Sequence, residues 1–256
     1  MVSFLSRYLD GEHEQVWAEL LALGNQVREE PLYSDALAVA QETMRRVRYN
    51  IELLIPRLSE LGYQFGFPDM GEDGVLVESF SPVFSPPAAN VDDLIAFLEQ
   101  EIGPLPLSLR VFYQVVGGVN LGGMDPGWQY EDACYGHDPL EVWPLDEDLV
   151  EDCLFNKLEE EDLEEEELEE AENLTAYHIV LAPDHYHKQG SSGGAPYEIA
   201  IPNLAIDAPL LDEWHNTTFV NYLRICFRWG GMPGFEACSV QPGKELTYLT
   251  RGLLSI

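Results

Sequence analysis

The amino-acid sequence predicts an α+β protein, with a mixed, mainly antiparallel sheet flanked by helices and an N-terminal helical extension. Three observations predict it. Apolar residues recur at three- and four-residue steps over 12–61 and again over 90–116, the period of amphipathic helices. Thr175–Ala182 and Tyr197–Ile201 alternate apolar and polar side chains, the period of strands, and a turn-rich stretch joins them. Helices and strands do not follow the strict alternation that a parallel sheet requires.

The extension covers residues 1–66. Val16, Leu20, Leu23 and Val27 place a helix over 12–28, with Asp10 as its expected cap. After Pro31, a long helix is expected to start at Ser34. Leu37, Ala40, Met44, Val47, Ile51, Leu54, Leu58 and Leu61 form one stripe, and Gly62 ends it. So regular a stripe suits either a coiled-coil seam or a helical hairpin packed on the rest of the chain. Pro56 is expected to interrupt the helix, which favours the hairpin and a monomer over a dimer. Arg45, Arg46, Arg48 and Arg57 lie on this helix and are expected to pair with the chain's own carboxylates.

The body is assigned to residues 67–256. Gly74–Val77 and Val83-Phe84 are short strand candidates, followed by Pro86-Pro87. Asn90 is then expected to cap a helix, with Asp93 answering it at the third position. Leu94, Phe97, Leu98, Glu101 and Ile102 share its expected face, apolar except at Glu101, and Gly103 stops it. After Leu105-Pro106, Ser108 is the expected cap of a second helix striped by Leu109, Phe112, Tyr113 and Val116, which Gly117-Gly118 ends. Two short helices joined so tightly must pack against each other or a sheet.

The combination of Phe97-Leu98-Glu99, a glycine, Leu105-Pro106, Phe112-Tyr113 and Gly117-Gly118 resembles the SUKH superfamily. That superfamily includes fungal regulators of cell-wall synthesis and many bacterial immunity proteins of toxin systems. The resemblance implies an α+β fold, a binding role and no catalysis. Residues 1–66 and a glutamate-rich insertion have no counterpart in its usual single unit.

Charge bounds the partners. Forty-six acidic against 13 basic residues give −33, which disfavours nucleic acid or an anionic membrane and favours a basic protein. Cys134, Cys153, Cys226 and Cys238 show no C-x-x-C spacing, so neither a disulfide framework nor a zinc knuckle is expected. The opening residues carry no sustained apolar run and no eighteen-residue apolar segment occurs, so the expectation is a cytoplasmic protein.

The irregular stretch after Gly123 embeds Trp128, Tyr130 and Tyr135 among Asp125, Glu131, Asp132 and Asp138. Loop aromatics need burial, either by folding back over the sheet or in a partner. Trp128, Tyr130, Glu131, Asp132, Tyr135 and Asp138 are accordingly the candidate partner-binding residues. Leu140–Trp143 reads as a strand. Asp146–Glu172 holds sixteen acidic residues and one lysine, with Leu158, Leu163 and Leu168 five apart, a step that suits neither helix nor strand. It is read as a solvated acidic insertion, partly helical or disordered, instead of a folded unit. Phe219, Tyr222, Leu223 and Cys226 predict a helix ending at Gly230-Gly231, and Glu245–Leu254 a last short one.

Chemical motifs are sparse. His185 and His187, with Asp184 beside them and His178 upstream, have a spacing that zinc tolerates, but no H-E-x-x-H is present and turn histidines serve the backbone more often. The glycine-rich 189–194 lacks the lysine and helix of a phosphate loop, and no Gly-x-Ser-x-Gly elbow occurs. Arg224 and Arg228, one turn apart beside Trp229, are placed to hold a carboxylate or to lie on a solvated face. No catalytic residue, metal ligand or cofactor is assigned. The expected function is a non-catalytic protein-binding module, an immunity-type protein that neutralises a basic toxin enzyme. A regulatory scaffold is the alternative, and a metal-dependent hydrolase using His185 and His187 a weaker one.

Overall fold

The structure is a computed structural model that describes residues 3–70, 76–79, 82–128, 136–161, 177–189, 191 and 193–256, with the main chain alone at 67–70, 76–79 and 156–161. It is an α+β fold. Among the described residues every strand pairing is antiparallel and the sheets are small.

The chain begins with α1 (Phe4–Leu9) and α2 (His13–Ala22), followed by a 3-10 turn over Gly24–Arg28. Asp10 closes α1 and does not cap α2, whose N-cap position is Glu12. Helix α3 runs unbroken from Leu32 to Glu60. Pro56 therefore does not interrupt it. Proline forfeits a single hydrogen bond this close to the helix end, and Leu54 and Leu58, both wholly buried, hold the backbone on either side. The α3 stripe Ala40, Met44, Val47, Ile51, Leu54 and Leu58 is turned into the chain's own core, so its apolar surface is already spent. Each such large side chain contributes about 1.5–3 kcal/mol on burial. The stripe packs against α1, α5 (Leu107–Val115) and the C-terminal α8 (Gly243–Thr250), and the buried core runs without a break through both halves of the sequence.

The strands are short. β1 (Gln64–Phe65) pairs with β6 (Gly123–Met124), and β2 (Phe67–Met70) with β3 (Leu76–Ser79). β4 (Phe84–Ser85), β5 (Gly118–Asn120) and β7 (Glu141–Val142) form a three-stranded sheet, with Val119 opposite both Phe84 and Val142. β8 (Tyr177–Ala182) and β9 (Tyr197–Ile201) form the predicted hairpin, with Ile179 opposite Ile199. The Trp143 N–H donates to the Leu181 carbonyl at 2.7 Å, which ties the two sheets together.

Helix α4 (Val91–Ile102) buries Val91, Ile95, Leu98 and Ile102. That face is rotated from the expected one: Phe97 is 46% exposed, and Glu101 lies off the buried stripe. Asn90 makes no side-chain cap bond. Helix α5 buries Leu109, Phe112 and Tyr113 as predicted, but starts at Leu107, so Ser108 is not its cap. Ser108 Oγ instead donates to Asp207 at 2.7 Å. Asp207 also accepts from the Val220 N–H at 3.1 Å, joining α5 to the start of α7 (Phe219–Arg228). Burial raises the Asp207 pKa despite these donors.

The glycine doublet is fixed by backbone contact. Gly117 has φ +92°, and a Cβ there would run into the Ser85 carbonyl oxygen. A Cβ on Gly118 would lie 2.7 Å from the Pro144 nitrogen. Only glycine lets the turn after α5 feed the central strand β5 between its neighbours.

Candidate functional site

The predicted recognition loop divides on folding. Trp128 is half-buried: its backbone N–H is held by Asp125 Oδ1 at 2.7 Å, and its ring lies between Tyr63, 5.8 Å away, and Phe235, 6.3 Å away. Tyr130, Glu131, Asp132 and Tyr135 lie outside the described residues. Asp138 is not a surface residue at all. Its side chain is wholly buried, so its assignment to a partner surface is corrected.

Asp138 anchors a closed polar cluster. Oδ1 accepts from Lys188 Nζ at 2.8 Å, and Oδ2 accepts from the Tyr197 hydroxyl and Trp214 Nε1, each at 3.2 Å. Lys188 Nζ also sits 4.5 Å from the centroid of the Tyr197 ring. Burial, then the Asp138 charge, drives the Tyr197 hydroxyl pKa far up. Neighbouring Tyr222 and Cys226 are raised by burial in the same way. Asp138 takes φ +43°, a left-handed conformation that Asp tolerates better than most residues. With both ion-pair side chains shut off from solvent, this cluster joins the segment before β7 to the β8–β9 hairpin and presents nothing to a substrate. One sequence signal pointed to it: Lys188 is the only cation between Lys157 and Arg224.

The histidines are used locally. His187 Nδ1 pairs with the buried Asp184 carboxylate, whose Oδ1 also accepts from the Tyr186 N–H at 2.7 Å. The His185 ring stacks 4.0 Å from Tyr186. His178 faces Glu198 across the hairpin at 3.8 Å. Among the described residues, no group of three His, Cys, Asp or Glu side chains is arranged to hold a metal ion. Cys153, Cys226 and Cys238 are buried and in the thiol form, and burial pushes Cys153 up to about 11.

Several of the chain's cations pair with its own carboxylates. Arg7 pairs with Glu12 and Glu19, Arg45 and Arg46 with Glu42, Arg48 with Glu52, Arg110 with Glu99. Arg57 instead donates to the Leu249 carbonyl at 2.8 Å. The surface that remains is acidic, and one part of it combines charge with exposed aromatics. Helix α6 (Glu147–Glu161) packs on α4. Its Leu149, Val150 and Cys153 are buried and Asp146 Oδ1 accepts from the Leu149 N–H at 3.0 Å, so the first part of the acidic insertion is a capped, folded helix and not a solvated segment. The five-residue leucine spacing farther along concealed this. Residues 162–172 lie outside the described residues. On these two helices Asp92, Asp93, Glu147, Asp148, Glu151 and Asp152 are exposed, as are Phe97 (46%) and Phe155 (60%). An open groove of about 290 Å³ between the helices is lined by Ala88, Asn90, Leu94, Asp146, Glu147 and Asp148.

In comparisons with known proteins, no family model, curated protein or solved structure matches this chain. No described helix is long and apolar enough to cross a membrane.

Proposed function

We propose that this chain is a non-catalytic protein-binding module of the SUKH type, acting as an immunity protein that binds and neutralises a basic toxin enzyme. The observation that carries the reading is the α4–α6 helix pair, which exposes six carboxylates and two phenylalanines and has a groove lined by Asp146, Glu147 and Asp148. Carboxylates at a groove accept lysine and arginine side chains, while exposed aromatics supply the apolar contact that sets residence time. The net charge of −33 supports the same reading, because the net charge sets the long-range field. Such a field speeds encounter with a basic partner, and the bound module then blocks the toxin's active site by occupancy.

The test is binding to a basic toxin enzyme encoded beside this chain, followed by stopped-flow association. Raising salt from about 50 to about 500 mM is expected to slow association tenfold or more. Glu151→Lys with Asp152→Lys is expected to weaken the complex at least about tenfold, with Phe155→Ala mainly speeding dissociation. Salt-independent association, or wild-type affinity in the charge-reversed variant, would refute the proposal.

A further inference from the structure

The cluster around Asp138 sets an amine against a carboxyl group in a place shut off from solvent. Lys188 Nζ lies 2.8 Å from Asp138 Oδ1, and neither side chain has exposed surface. The Tyr197 ring covers the amine, its centroid 4.5 Å from Nζ. Around the pair, burial raises the pKa of Glu141, Tyr222 and Cys226, as a poorly solvated region requires. An ammonium and a carboxylate taken out of water are each driven towards the neutral form, and passing one proton between them neutralises both.

The two oxygens of Asp138 are held differently. Oδ1 faces the lysine, while Oδ2 accepts from the Tyr197 hydroxyl and from Trp214 Nε1, each at 3.2 Å. Acyl transfer needs this division: a nucleophile beside one oxygen, and fixed neutral donors on the other, where negative charge grows as the carboxyl carbon is attacked. Position in the chain removes a competing route. An aspartate ordinarily loses water by ring closure onto the next main-chain N–H, and Pro139 has none to offer.

The geometry points to a self-formed amide bond between Lys188 Nζ and Asp138 Cγ, closed after folding, which makes this pair a covalent modification site. One proton first passes from Nζ to Oδ1. The Nζ lone pair then attacks Cγ, and negative charge collects on Oδ2 beside Tyr197 and Trp214. Nζ gives a second proton to Oδ1, the Cγ–Oδ1 bond breaks and one water leaves. One C–N bond forms and one C–O bond is lost, with nothing oxidised or reduced and the net charge unchanged. Because the amine must give up a proton before it attacks, the bond forms slowly, and freshly folded chain carries the ion pair. The bond joins residues fifty positions apart, so it ties the segment before β7 to the β8–β9 hairpin across the whole acidic stretch 146–172. It is independent of the immunity reading, since none of its groups lies on the α4–α6 pair.

The test is the intact mass of the full chain, held in native buffer at neutral pH and sampled from hours to weeks. A form lighter by one water is expected to accumulate, and its digest to contain a branched peptide joining the Asp138 and Lys188 segments, uncut after Lys188. Chain held in guanidinium chloride is expected to form no branched peptide. Tyr197→Phe keeps the ring over Nζ and removes one Oδ2 donor, so it is expected to slow bond formation at least about tenfold. Lys188→Arg keeps the charge without a nucleophilic amine and is expected to form no bond; should that variant not fold, the wild-type chain and Tyr197→Phe still decide. Absence of the lighter form after weeks would overturn the proposal. So would a lost water mapped elsewhere, as at Asp10 before Gly11, or undiminished bond formation in Tyr197→Phe.

Discussion

Lys188→Met is the most informative single perturbation of the fold. The Lys188 ammonium lies 2.8 Å from Asp138 Oδ1, and both side chains are wholly buried. At an effective dielectric constant of about 20, unit charges about 3.5–4 Å apart attract by roughly 4–5 kcal/mol. Removing the lysine leaves a buried carboxylate with only the two neutral donors of Tyr197 and Trp214, both at 3.2 Å. The expected cost is about 3–5 kcal/mol, most of it the penalty of an unpaired buried charge. For a chain of this size that lowers the melting temperature by roughly 6–20 °C. Adding Asp138→Asn removes the stranded charge, keeps a side chain that tolerates φ +43° and retains an acceptor for both donors. Asp138→Asn alone strands the buried lysine at a similar cost, and the double variant is expected to lie within about 1–2 kcal/mol of wild type, a coupling of at least about 4 kcal/mol. Equilibrium denaturation followed by tryptophan fluorescence measures all four corners of the cycle, with Trp214 reporting from the cluster itself. A coupling below about 0.5 kcal/mol, or a single-variant cost below about 1 kcal/mol, would refute the buried-pair reasoning.

Three further outcomes are expected. Gly117→Ala should destabilise by at least about 2 kcal/mol in the same denaturation assay, because it places a Cβ at φ +92° against the Ser85 carbonyl. Asn50 is buried and holds the Leu254 main chain at both ends, donating to its carbonyl at 2.9 Å and accepting from its N–H at 2.7 Å. Asn50→Leu should cost about 2–4 kcal/mol and release the Leu254 amide to fast hydrogen exchange. His215 is subject to burial, which lowers its pKa, but Glu213 and Glu236 outweigh that and hold it above the usual histidine value. A raised folded pKa contributes stability below the unfolded value of about 6.5 that is lost as pH rises through the folded one. The stability gap between wild type and His215→Gln should therefore be larger at about pH 5.5 than at about pH 9, and a gap that widens with pH would contradict the geometry.

Where evidence was local, the sequence was legible. The β8–β9 hairpin follows from period-two alternation, with Ile179, Ile199 and Ile201 buried as that alternation requires. The α5 stripe and the Gly117-Gly118 stop were readable for the same reason, since a helical face and a left-handed turn each depend on a few adjacent residues. Arg45, Arg46 and Arg48 of α3 pair with Glu42 and Glu52 at the three- and four-residue spacing that sets such contacts on a helix, but Arg57 does not follow that rule and holds the Leu249 carbonyl. The candidate site was legible only as a class, an acidic surface with aromatic anchors. Its place was not, because Asp138 is ordinary by its neighbours in sequence and is sorted by Lys188, Tyr197 and Trp214, 50 or more positions away.

What the sequence alone determined here is periodicity, stop signals and total charge, and with them the α+β class. Tertiary structure alone decided that Asp138 goes inside to meet Lys188, that Phe97 turns outward, that Pro56 leaves α3 whole and that Arg224 meets the Ile256 main-chain oxygen. The physical reason is that helix and turn preferences are fractions of a kcal/mol written in adjacent residues. Burying or pairing a charge is a matter of several kcal/mol, and its sign depends on which distant side chain completes the contact.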